Sequence, residues 1–246
     1  MTPEEFLSEI LTPVHEFCRA LDSNPPAYSY IPLHSDEERI RVMQSRLFNE
    51  MRAADLFGTW LKTTPELDVK ATMAESAHEE MVHAQLLSKR IRDLGAEPFD
   101  YKPLPAQIAM FNAMEGLSET CERIAGLSLA GETVANYLIQ MCLNSPDVPE
   151  WIKQPYRRIS QDEEGHGSVP QEFLRRYATT VERQDRARRG QDRGCTAQAG
   201  GAGQSCGSRL ATLPRVRTHS PDRAPRRLLW LGVGRRRGRQ RVQRAD

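Results

Sequence analysis

The chain has 246 residues, and its 34 Lys plus Arg against 33 Asp plus Glu leave a formal net charge of +1. That balance hides an asymmetry: residues 183–246 hold 17 Arg, no Lys, four Asp and no Glu, whereas residues 1–182 carry 17 basic and 29 acidic side chains. An apolar content of 39% is enough for a packed core in the acidic part, while the absence of any run of about 18 apolar residues argues against a membrane-spanning helix.

Five cysteines, Cys18, Cys121, Cys142, Cys195 and Cys206, include no Cys-x-x-Cys pair, which argues against a zinc ribbon, a rubredoxin-type site or a disulfide scaffold. The start of the chain, with Glu4, Glu5 and Glu9, does not read as a secretory signal, so a reducing cytoplasm is the expected compartment.

In chain order, Thr2-Pro3-Glu4-Glu5 is a helix start, and a first helix extends to Leu21 before Ser23, Asn24, Pro25 and Pro26. After a looser stretch to His34, Ser35-Asp36-Glu37-Glu38 caps a second helix reaching Leu61. Thr64-Pro65-Glu66 opens a third, which Leu94-Gly95 ends. A proline-bearing loop to Pro105 and an apolar run from Ile108 to Met114 lead into a long helix over 118–143, broken by Asn144-Ser145-Pro146. A last long helix is expected over 148–181, with Pro155 near its start and Gly165 and Pro170 as places where it can kink. Alternation of β-branched residues is absent, so no sheet is expected. Beyond Glu182 the chain holds nine of its sixteen glycines, is rich in Arg, Gln and Ser, and has little periodicity. It reads as a disordered tail whose abrupt onset resembles out-of-frame translation, with nucleic-acid binding by its Arg clusters the less favoured reading. The expected organisation is an N-terminal helix and linker (1–34), a helical bundle (35–182) and the tail (183–246).

A helix that packs in a bundle needs an apolar stripe at spacings of three and four. Four such stripes can be written, and each is interrupted by a carboxylate. Glu50 follows Met43 and Leu47; Glu80 and His83 follow Val69 and Met73; Glu132 follows Cys121 and Ala125; Glu163 and His166 follow Ile152, Tyr156 and Ile159. Burying an ionised carboxylate without a partner costs on the order of several kcal/mol, so carboxylates and imidazoles facing one core call for compensation. Two divalent metal ions would supply it. The spacing agrees: Glu50 and Glu80 are 30 residues apart, Glu132 and Glu163 are 31 apart, and both Glu-x-x-His units put an oxygen and a nitrogen on one helical face. Mixed carboxylate and imidazole ligands suit iron or manganese.

Other candidates have plainer readings. Glu75-Ser76-Ala77-His78 is a second Glu-x-x-His off the stripe and reads as a solvated face. Glu79, Asp162 and Glu164 point about 100° from the ligands and read as exposed or as hydrogen-bond partners behind them. His15 and His34 lie outside the stripes, Phe57, Trp60 and Tyr137 read as core packing before cavity lining, and Thr133 is as readily an ordinary helix residue as a neighbour of an open metal position.

One Glu from each of two helices plus Glu-x-x-His from each of two others resembles the ligand set of the ferritin-like di-iron carboxylate superfamily, over about residues 36–180. The stretch with Glu50, Gly58, Trp60, Thr64-Pro65, Lys70, Glu80-Met81-Val82-His83 and Leu94-Gly95 also resembles the catalytic subunit of phenylacetyl-CoA epoxidase and related bacterial multicomponent oxygenases. The superfamily resemblance implies an all-α fold, a ferritin-like four-helix bundle with an additional N-terminal helix. It implies Glu50, Glu80, His83, Glu132, Glu163 and His166 as metal ligands, with Glu80 and Glu163 bridging and catalytic. Two iron ions are the expected cofactor, with manganese the alternative at either position. The expected activity is dioxygen-dependent oxidation of a small organic substrate, fed by a reductase or other electron donor; a homodimer is compatible with this, and neither a membrane nor nucleic acid is an expected partner. A cage-forming ferroxidase and a manganese catalase-like enzyme would use the same ligands.

Overall fold

The computed structural model describes residues 1–22, 35–166 and 168–198, without the side chains of 164–166 and 196–198. Every element among them is helical: α1 Pro3–Leu21, α2 Asp36–Trp60, α3 Leu67–Asp93, α4 Pro105–Glu115, α5 Thr120–Arg123, a π-helical segment Ile124–Gly131, α6 Glu132–Asn144, α7 Glu150–His166, α8 Val169–Tyr177 and α9 Val181–Gln198. No described helix is long and apolar enough to cross a membrane.

Local chemistry accounts for the starts. Thr2 and Ser35 each accept a hydrogen bond from the backbone N–H three residues on, while Glu5 and Glu38 reach back to accept from the cap residue's own N–H. These are reciprocal capping boxes at the two places the sequence marks. Gly95 ends α3 at φ 79°, a backbone conformation that side-chain-bearing residues rarely adopt.

The long helices cross between two apolar cores. One contains Met43, Leu47, Leu87, Ile91, Ile139, Cys142, Ile152 and Ile159; the other contains Leu56, Phe57, Val69, Met73, Cys121, Ile124, Leu129 and Leu174. Helix α2 runs from the first core to the second and α3 from the second to the first. The π segment with α6 also runs from second to first, and α7 with α8 runs back. The first and last of these four therefore run one way and the middle two the other, and each passes once through the layer between the cores.

Four sequence expectations are corrected. The helix expected over 118–143 is not uniformly α. Its π segment interrupts the α repeat, so Leu129 is buried where a straight repeat continued from Cys121 and Ala125 would bury Ser128, and Val134 is buried while Ala135, next on that repeat after Glu132, is only partly so. The helix expected over 148–181 is divided: α7 ends at His166 and α8 begins with Pro170 in its first turn, where a missing N–H costs nothing. The N-terminal helix is not a separate module, because Phe6, Leu7 and Ile10 enter the second core and Val14, Phe17 and Cys18 pack with Ala130 and Val134.

The fourth correction concerns the tail. Residues 183–198 belong to α9, which packs against α5 and the π segment. A Cβ at Gly190 would lie 2.1 Å from the Glu122 carbonyl oxygen, and one at Gly194 would lie 2.4 Å from that of Gly126. Backbones approach this closely only where side chains are absent. Arg188 ties α9 to α1 through Glu9 at 2.6 Å and lies over the Phe6 ring. The rest of the expected tail, 199–246 with its Arg clusters, lies outside the described residues, as does the expected linker through His34. Cys18, Cys121, Cys142 and Cys195 are buried and form no disulfide among the described residues.

Candidate metal centre

The layer between the two cores is polar. Helix α2 brings Glu50 into it, α3 brings Glu80 and His83, the first residue of α6 is Glu132, and α7 brings Glu163. Glu50, Glu80 and Glu163 are 2–3% exposed and His83 is fully buried; Glu132 is half-buried. Their donor atoms fall into two groups, each with all atoms within 4.8 Å of one another: Glu50, Glu80 and His83 form one, and Glu80, Glu132 and Glu163 the other. Glu80 belongs to both. Five of the six residues singled out in the sequence thus meet at one place; the side chain of the sixth, His166, lies outside the described residues.

Within the cluster, His83 Nδ1 is 3.8 Å from Glu80 Oε2 and 3.9 Å from both Glu50 Oε2 and Glu163 Oε1. On its other side, Nε2 is 3.4 Å from Asp162 Oδ2, and Asp162 is held by Arg158 at 3.0 Å. A carboxylate at Nε2 favours the tautomer with the proton there, which leaves the Nδ1 lone pair facing the carboxylates. Of the two roles the sequence leaves Asp162, the structure gives it the hydrogen-bonding one. Among the described residues neither Glu80 Oε2 nor His83 Nδ1 has a hydrogen-bond partner, although both are buried. An acceptor oxygen and an imidazole nitrogen buried without donors are what a cation would satisfy, so these residues fit a dinuclear metal centre.

Electrostatics within the protein alone are adverse. Burial pushes the Glu80 carboxyl well above the usual carboxylate range, reinforced by Glu50, Glu132 and Glu163. Burial acts the same way on Glu50, but the Arg46 guanidinium and a hydrogen bond from Glu80 outweigh it and hold Glu50 below its ordinary value. Arg46 was not singled out in the sequence. It stands one turn before Glu50 on α2, pairs with Glu50 Oε1, and is held strongly protonated despite its burial by Glu50, Glu163 and Glu80. The signal was available: a cation four residues from a stripe carboxylate shares its face.

Two cavities flank the cluster. One, of about 90 Å³, is lined by Glu50, Glu80 and Glu132 together with Arg46 and the apolar Phe111 and Ile139. Helix α4 closes it with Met110 and Met114, and Ser45 and Asn49 are fixed on its polar wall by Gln107 at 2.9 Å each. The other, of about 230 Å³, reaches Glu132 and Asp162 from the side of α3 and α8, between Met73, Glu79 and Phe173. The remaining candidates fall away from both cavities in most cases. His78 and His15 are exposed, and Tyr137 donates to Asp22 at 2.7 Å. Trp60 packs edge-on against Phe57 in the core, although Phe57 also touches the larger cavity. Thr133 is half-buried and lines neither.

Comparison of the chain with protein-family models, with curated proteins and with solved structures found no match.

Proposed function

We propose that the protein is a non-haem di-iron oxidoreductase of the ferritin-like kind, using dioxygen to oxidise a small organic molecule. The observation that carries this reading is the pair of donor groups sharing Glu80, held between two apolar cores and supplied by four helical segments, two running each way. Glu50, Glu80 and His83 would hold one ion and Glu80, Glu132 and Glu163 the other, with His166 the sequence's sixth ligand. Membership of both groups suits Glu80 to bridging; Glu163, the other expected bridge, stands in one group with its Oε1 near His83. A pair of iron ions, when bound, supplies the electrons and charge stabilisation that reduction of dioxygen requires.

The chain's own residues do the rest. Asp162 fixes the His83 ring, Arg46 offsets carboxylate charge, and the apolar walls on both sides exclude water from the reacting groups. The π segment ends with the Glu132 N–H bonded to the Leu127 carbonyl, so Glu132 sits where helical geometry changes; such segments recur at functional sites. The test is oxygen uptake by the iron-loaded protein given a reductant and candidate small substrates. The account predicts uptake that falls at least about tenfold in Glu80→Ala, a loss of about 1.4 kcal/mol or more of transition-state stabilisation. Stoichiometric iron without any oxygen consumption would contradict it.

A further inference from the structure

The smaller cavity and Arg46 together indicate what kind of molecule the site takes, an inference that rests on the dinuclear reading. With ligands ionised, Glu50, Glu80, Glu132 and Glu163 carry four negative charges, which two divalent cations cancel. Asp162 is matched by Arg158. Arg46 is then left over, a positive charge whose side chain is 16% exposed. Only its Nε donates to a carboxylate among the described residues, and Arg46 is one of the residues that line the cavity. A buried net charge in a low-dielectric site is costly, and a guanidinium presents its donors as a planar fork that matches two carboxylate oxygens.

The rest of the cavity limits what such an anion can be. Its walls of Met110, Phe111, Leu138 and Ile139 favour an apolar body, which a hydroxide or halide lacks. Its volume of about 90 Å³ is smaller than the roughly 150 Å³ of a cavity that accepts benzene. We infer that the metal-loaded site binds a short monocarboxylate, of the size of acetate or propionate, with its carboxylate on Arg46 and its alkyl group toward the α4 side of the cavity. The neutral amide of the same shape is discriminated against because it leaves Arg46 uncompensated.

The experiment is calorimetric titration of the manganese(II)-loaded protein, after its metal content has been counted, with propionate and with propionamide. Propionate is expected to bind once per chain and propionamide at least tenfold more weakly. Arg46→Gln is expected to weaken propionate at least tenfold and Arg46→Lys by less. Ala135→Leu, which fills the cavity from α6 while leaving Arg46 and the carboxylates in place, is expected to abolish propionate binding with metal content unchanged. Equal binding of the amide, unchanged affinity in Arg46→Gln, or propionate binding that survives Ala135→Leu would each overturn the inference while leaving the dinuclear reading intact. Should Arg46→Gln fail to fold, the amide comparison and Ala135→Leu decide. A wild-type protein that takes up no metal contradicts the dinuclear reading itself.

Discussion

At Glu80 and Glu50 the same burial has opposite outcomes, and the difference lies in one neighbour. Glu50 has Arg46 beside it and is held ionised; Glu80 has three other carboxylates around it and is driven toward its neutral form. The two shifts give the metal-free protein separable pH dependences. The folded-state pKa of Glu80 is raised, so its contribution is complete below the ordinary glutamate value of 4.5 and is lost as pH rises through the elevated value. The folded-state pKa of Glu50 is lowered, so its contribution is present above 4.5 and is lost as pH falls through the depressed value. In metal-free protein, Glu80→Gln should therefore remove the decline in denaturant stability above pH 4.5 and leave the acid limb. A decline above 4.5 that persists in this variant would show that Glu80 is not the group responsible. The residue scale is also where sequence was most informative. Glu50, Glu80, His83 and Glu163 could be found because each breaks an apolar stripe, and Asp162 could be placed only as exposed or as a hydrogen-bond partner, whereas Arg46 acts through a contact along its own helix that a one-residue scan of a stripe does not register.

At the scale of elements, capping chemistry and apolar periodicity placed α1, α2 and α3 to within about three residues, because those helices use the aliphatic stripe that periodicity detects. Two elements were not legible for identifiable reasons. The π segment has nearly uniform apolar character, Ile124-Ala-Gly-Leu-Ser-Leu-Ala-Gly131, and its one polar residue, Ser128, is small and falls where the straight stripe would run, so it does not mark the change of phase. Helix α9 buries Ala187 and Cys195 along with Gln184 and Gln191, and meets its neighbours through glycines, a mode of packing in which backbone proximity replaces an aliphatic stripe. Gly190→Ala places a methyl group against the Glu122 backbone, which cannot rotate away as a side chain would. It should cost about 1–3 kcal/mol in denaturant unfolding, the range for overpacking. A cost below about 0.5 kcal/mol would show that α9 does not pack there as closely as described.

At the scale of the whole molecule, the polar layer divides the described interior, with an apolar core on each side of it, and α1 and α9 help to close the core that contains Phe57 and Ile124. Ending the chain at Glu182 would uncover the Glu122 and Gly126 backbone and the Ala130 side chain on α5 and the π segment, and should lower the melting temperature by about 5 °C or more. An unchanged melting temperature would return residues 183–198 to the status that composition alone suggested. The strongest consequence of the architecture is that this layer is stable only if its charges are offset, and Arg46 offsets only one of them. The direct test is to count metal per chain in the purified protein, wild type against Glu80→Ala and Glu163→Ala, with spectroscopy to distinguish one ion from a coupled pair. The account predicts two ions per wild-type chain and loss of the pair in both variants; a metal-free wild type, or a coupled pair retained in both variants, would contradict it.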